Sequence, residues 1–187
     1  DAIVINTCCF IHDAKEESVN TILEMAEYKK TGTCKILIVT GCMAQRYKEE
    51  ITEEIPEVDA VLGTTSYGDI VKALNEAEAG HVFQEFKDIN ALPEDSGRRV
   101  ITTGGHYGYL KIAEGCDKHC TYCIIPSLRG KFRSVPEERL LKQAEYMASQ
   151  GVRELILVAQ ETTVYGTDLY GKKTLHILLK KLCQIKG

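Results

Sequence analysis

Short apolar runs alternate along the chain with longer amphipathic stretches. Ala2-Ile3-Val4-Ile5, Ile36-Leu37-Ile38-Val39 and Val58-Asp59-Ala60-Val61-Leu62-Gly63 are runs of the buried parallel-strand kind. Residues 12–30 read as a helix, with Ala14, Val19, Ile22, Leu23 and Ala26 near one face. A second helix is expected from Cys42 to about Glu54, and a third from Tyr67 to Ala79. Strand–helix repetition with apolar strands predicts a parallel α/β sheet. The pattern breaks over 84–106, where charge mixes with Pro93, Ser96 and Gly97 and the stretch ends in Thr102-Thr103-Gly104-Gly105-His106. It resumes with a strand at Tyr109-Leu110-Lys111-Ile112-Ala113. A helix over Pro136 to Gln150 follows, striped by Leu140, Leu141, Ala144, Met147 and Ala148 and stopped at Gly151. Glu154 to Ala159 reads as another strand, and Thr174 can cap a last helix from Leu175 to Ile185. The expected organisation is an α/β domain over 1–83, a linker over 84–106 and a second domain over 107–187.

Composition narrows the class. The chain has 187 residues, 44% hydrophobic and 27% charged, as an ordinary globular protein does. A net charge of −4 argues against a general nucleic-acid coat. No apolar run approaches the roughly 20 residues of a membrane span, and no cleavable signal peptide is visible. Asp1 stands inside a strand-like run, so the chain reads as a fragment. The eight cysteines are unevenly spread, and the chain is large enough to bury a core without staples. Reduced thiols of a cytoplasmic metalloprotein fit better than a disulfide scaffold.

The densest chemistry lies in Gly115-Cys116-Asp117-Lys118-His119-Cys120-Thr121-Tyr122-Cys123. Its spacing, C-x3-C-x2-C, lets one loop wrap one metal centre with soft thiolate ligands. Three cysteines leave a tetrahedral site one ligand short, whereas structural zinc sites are normally closed by four. An iron–sulfur cube held by three thiolates keeps one iron open to a small molecule. The competing assignment is zinc, with His119 or a distant cysteine as fourth ligand. No second C-x2-C pair follows at zinc-ribbon distance, and His119 is not needed once three thiols are present.

Two more thiols fall at suggestive places. Cys8 and Cys42 each sit just past the carboxyl end of an expected parallel strand, where open α/β sheets bind ligands. Two readings stay open: metal ligands facing one crevice, or small buried hydrophobes together with Cys9. Cys34, before a strand, and Cys183, on the apolar side of the last helix with Leu175, Leu178, Leu179 and Leu182, read as structural.

The strand, cysteine loop and helix around Cys116 resemble the start of the radical S-adenosylmethionine (SAM) superfamily barrel, and Tyr122 before the last cysteine fits that family. Both halves together resemble the methylthiotransferases of that superfamily. Asn6-Thr7-Cys8 and Thr40-Gly41-Cys42 are similar to motifs of their cluster-bearing N-terminal domain. Three stretches resemble the branch that modifies an aspartate of ribosomal protein S-twelve: Cys123 to Ser134, Val158 to Gly166, and Asp168-Leu169-Tyr170-Gly171. The branch acting on tRNA adenosine typically has an Asn-rich run in place of the second. The fold implied is an N-terminal parallel α/β sheet domain followed by the start of a radical SAM (β/α) partial barrel. The family's first N-terminal cysteine would lie upstream of Asp1, and its remaining barrel strands and C-terminal β-domain are absent. The piece by itself is therefore expected to be inactive.

The resemblance implies a chemistry. Cys116, Cys120 and Cys123 would hold a 4Fe-4S cluster whose open iron chelates SAM. Reduction would then cleave SAM to a 5′-deoxyadenosyl radical that takes hydrogen from an aspartate β-carbon. Cys8 and Cys42 would hold an auxiliary 4Fe-4S cluster, lacking one ligand here, that donates sulfur, and a second SAM would supply the methyl group. Tyr122 could pack on the adenine or serve as a plain packing aromatic. Gln160 and Glu161 sit past a strand end; Glu161 could bind the amino group or ribose of SAM or be a solvated loop carboxylate. Arg129, Lys131 and Arg133 could steer the SAM carboxylate or ribosomal RNA or be a solvated face. The implied partners are ribosomal protein S-twelve and an electron donor such as flavodoxin or ferredoxin. The alternatives are the tRNA enzyme and a non-catalytic zinc-binding interaction module.

Overall fold

The computed structural model describes residues 1–92 and 99–186. By internal contact the chain forms two compact units: Asp1–Glu94 with Cys120–Arg129, and Asp95–His119 with Gly130–Gly187. The expected linker begins within a strand, since Phe83–Glu85 is strand, while Pro93, Ser96 and Gly97 lie outside the described residues.

The first unit holds a four-stranded parallel sheet: β1 (Ala2–Thr7), β2 (Ile36–Gly41), β3 (Ala60–Leu62) and β4 (Phe83–Glu85), in that spatial order. The connecting helices are α1 (His12–Thr31), α2 (Cys42–Glu54) and α3 (Ile70–Glu78). Every residue of β2 is buried, as expected for a central parallel strand covered on both faces. Leu37 and Val39 pack with Ile22, Ala26, Met43 and Ala44, whereas Ile36 and Ile38 face Ala73 and Leu74. The period-2 alternation of β2 thus supplies two cores at once. A fourth short helix, α4 (Ile125–Arg129), belongs to this unit. Leu128 is buried in the first core, Ile124 packs on it, and the Thr64 hydroxyl donates to Leu128 O at 2.9 Å.

One expectation shifts on α1. Leu23 is 48% exposed, because its 100° offset from Ile22 carries it off the stripe. Ser18 is buried in its place and holds the chain before the helix: its Oγ accepts from Cys8 N–H at 3.0 Å. Within α2, Lys48 has φ 35° and ψ −109°, a kink the apolar pattern did not signal.

The second unit pairs β5 (Tyr107–Lys111) with the parallel β8 (Glu154–Val158). Beside them the short β6 (Ala113–Glu114) runs antiparallel to β7 (Arg133–Ser134). Helix α5 (Glu137–Ser149) makes the crossover from β7 to β8, with Glu137 and Glu138 in its first turn where the helix dipole favours anions. After β8 come α6 (Thr167–Tyr170) and α7 (Leu175–Leu182). Leu110, Ile112, Leu140, Ala144, Met147, Tyr165 and Leu178 form its core. The fold class expected from the apolar pattern holds in both units. Leu179 and Cys183 are exposed, not part of the buried stripe of α7; only Leu178 is buried there. Thr174 occupies the N-cap position of α7 but makes no side-chain cap bond.

One partly buried ion pair ties α1 to the sheet. The Lys29 ammonium lies 2.7 Å from Asp59 Oδ2, and the same oxygen accepts from Leu37 N–H at 2.7 Å. Asp59→Ala takes the acceptor from Leu37 N–H and leaves the Lys29 ammonium only the Glu57 carbonyl of this group. It is expected to lower the unfolding free energy by about 2 kcal/mol, read from the urea midpoint at unchanged slope.

Candidate metal centre

The strand-end thiols come first in the chain. Parallel register pairs Thr7 with Gly41, so Cys8 and Cys42 leave neighbouring strands side by side. Gly41 has φ 99°, and a β-carbon there would lie 2.4 Å from Thr7 O. Cys42 opens α2 and is 2% exposed; Cys9 is 3% exposed, and Cys8 is half-buried. Burial, then the neighbouring Cys42, pushes the Cys9 thiol above its ordinary range, and the positive charge of Arg46 opposes the shift. Arg129 Nε donates to Cys42 Sγ at 3.2 Å. A guanidinium donor on the Cys42 sulfur suits a sulfur that carries negative charge, as a metal-bound thiolate does. Cys34 is buried, its thiol donating to Ile36 O, in keeping with a structural role.

The loop thiols divide between the two units. Cys116 belongs to the second unit, and its approach is fixed by backbone. Gly115 has φ 69°, and a β-carbon there would lie 2.1 Å from Lys131 O. Absence of a side chain lets Cys116 N–H donate to Gly130 O at 3.1 Å. Phe132 N–H donates to Asp117 Oδ1 at 2.9 Å, and Lys118 N–H points at Cys116 Sγ at 3.4 Å. Cys120 and Cys123 belong to the first unit; Cys123 N–H donates to Cys120 O just ahead of α4.

All eight cysteines are free thiols. Among the described residues, no three His, Cys, Asp or Glu side chains converge as they would on a bound ion. The donor chemistry nonetheless suits an iron–sulfur cluster: three soft thiols on one short loop outside regular structure, half-buried or exposed. Binding would have to close the loop, so metal affinity and loop order are coupled.

The remaining candidates separate. Tyr122 is 90% exposed, so it packs on nothing in its own unit. Gln160 is exposed past β8. Glu161 is not a free carboxylate. It forms an ion pair with Lys118 and accepts from Thr163 N–H at 3.2 Å. The Lys118 ammonium foremost, then the Thr163 hydroxyl and amide, hold its carboxyl down to about 2. Sequence reading passed over Lys118, and also Ser18 and Asp117; no local period marks them, because each acts through a contact made by the fold.

The segment after β8 is firmly pinned. Tyr165 is fully buried and its hydroxyl donates to Val135 O at 2.9 Å. Asp168 accepts from Ser134 N–H at 2.8 Å and from Ser134 Oγ at 2.6 Å, while Gly166 N–H donates to that same Oγ at 2.9 Å.

Comparison with known proteins matches residues 110–186 to the radical SAM superfamily. Residues 1–63 match UPF0004, described as an uncharacterized protein family. The chain carries a UPF0004 domain followed by a radical SAM domain. Its relatives include the "Ribosomal protein uS12 methylthiotransferase RimO" of Lachnoclostridium phytofermentans, 66% identical over all 187 residues. Proteins of the same name from Clostridioides difficile and Clostridium botulinum are 52% and 48% identical over 100% and 99% of the chain. The chain spans 42% of the length of each of these relatives.

The Glu161 pair gives a pH prediction. A carboxyl held below its ordinary value of 4.5 gains from the pair fully above that value and loses it as pH falls toward about 2. Lys118→Met is expected to move the Glu161 midpoint upward toward the ordinary range, followed by NMR titration of the side-chain carboxyl in the metal-free chain. An unmoved midpoint would show that Lys118 does not set it.

Proposed function

We propose that this chain is the cofactor-bearing part of a radical SAM methylthiotransferase that adds a methylthio group to the β-carbon of an aspartate in ribosomal protein uS12. One observation carries the reading. A three-thiol loop and a pair of strand-end thiols occur in one chain whose relatives, at 48–66% identity, bear that name. In this reading Cys116, Cys120 and Cys123 hold a 4Fe-4S cluster, and Cys8 and Cys42 contribute to an auxiliary one. When bound, the loop cluster supplies an iron that takes the amino and carboxylate groups of SAM and an electron for its sulfonium.

The chain's own residues set the conditions for that chemistry. Gly115 admits the backbone contact that aims Cys116, and Asp117 holds the loop to Phe132. Glu161, ionised at neutral pH and already accepting an ammonium, matches the amino group of SAM in charge and hydrogen bonding. Gln160 stands beside it, and the exposed ring of Tyr122 offers a face to the adenine. The pins at Tyr165, Gly166 and Asp168 keep the Gln160–Glu161 turn in place. No described helix is long and apolar enough to cross a membrane. The reading places the protein in the cytoplasm, reduced by a flavodoxin- or ferredoxin-type donor, with a contact to ribosomal RNA.

Anaerobic reconstitution tests the assignment through iron, sulfide and zinc per chain, compared with the Cys116→Ala/Cys120→Ala/Cys123→Ala variant. About eight irons, falling to about four in the variant, is the result expected if both thiol sets bind. About four, all lost in the variant, would confine binding to the loop. Stoichiometric zinc without iron would overturn the radical reading in favour of a zinc-binding module.

A further inference from the structure

The segment that follows the loop cysteines reaches the strand-end thiols. Cys120–Arg129 belongs to the first unit, held there by Leu128 in the core and by the Thr64 hydroxyl on Leu128 O. Those anchors bring the Arg129 guanidinium to Cys42, where its Nε–H donates to the sulfur at 3.2 Å. The two residues are 87 positions apart, so the contact is made by the fold alone. Arg129 is half-buried, which keeps water from competing fully for its N–H groups.

We propose that Arg129 is a positioning residue for Cys42: it fixes the direction of the Cys42 sulfur and tunes the metal group that this sulfur carries. The proposal rests on the reading that Cys8 and Cys42 contribute to a second cluster. A charge-assisted N–H···S bond draws electron density from a thiolate and so stabilises the more negative, reduced state of a cluster bound to it. Removing the bond therefore makes reduction harder. The charge of Arg46 acts on Cys9, a thiol the proposed ligand set does not use. The effect on the metal group is thus assigned to Arg129 alone.

The test uses the full chain in the Cys116→Ala/Cys120→Ala/Cys123→Ala background, where iron can bind only at the strand-end thiols. Arg129→Met and Arg129→Lys are compared with Arg129 for iron per chain, for the electron paramagnetic resonance signal of the reduced protein, and for midpoint potential by dye-mediated titration. Circular dichroism checks that the fold is kept. The expected result is a lower midpoint potential for Arg129→Met, with part of the shift recovered by Arg129→Lys, which keeps the charge. Iron bound with the same potential and signal in all three proteins would overturn the proposal and leave the second-cluster reading standing. Absence of iron in the Arg129 protein itself would overturn both.

Discussion

A β-carbon on residue 41 would collide with the carbonyl oxygen of Thr7 and with the Asn6 side chain. Glycine at that position lets the carboxyl ends of β1 and β2 stay in register to their last residues, and the strand-end thiols depend on this closeness. Cys8 and Cys42 leave adjacent strands at the same level, Cys9 tucks into the core behind them, and α2 begins without a side chain in the way. Any larger residue would push the strands apart or demand a different turn, since φ 99° is a conformation L side chains rarely adopt. The serine clasp from α1 and the guanidinium from α4 then act on a backbone already placed.

The cysteine loop is anchored on both sides of its thiols and lacks regular structure between them. Before it, Cys116 and Asp117 bond to the backbone of 130–132; after it, Leu128 sinks into the core of the first unit. Such a loop has little of its own to hold the three sulfurs in one geometry. In the proposed reading a metal cluster would supply that order, because thiolate coordination contributes folding free energy.

Beyond β8 the division of labour is similar. Tyr165, Gly166 and Asp168 are spent on packing and hydrogen bonds to the Ser134–Val135 backbone and side chain. Those are among the residues that carried the family resemblance, and in the fold they support rather than face a ligand. Between the strand end and these pins, Gln160 is exposed and Glu161 is half-buried with Lys118 as its ionic partner. A side chain meant to meet a ligand is held best when its neighbours are locked in this way.

The amino-acid sequence determined the elements and the clustering of thiols. Continuous apolar runs marked β1, β2 and β3, and helical periodicity marked α1, α5 and α7, because side-chain direction repeats locally with the backbone. The C-x3-C-x2-C spacing put three soft thiols on one loop, since those residues are neighbours in the chain itself. Only the tertiary structure decided that Leu23 and Cys183 face solvent, that Phe83–Glu85 adds a fourth strand, and that Ser18 holds Cys8. It alone joined Arg129 to Cys42 and Lys118 to Glu161, and it assigned the stretch after the loop to the first unit. The reason is physical. Periodicity reports which way a side chain points, but which distant donor meets which acceptor depends on how whole elements pack, and no local pattern encodes that.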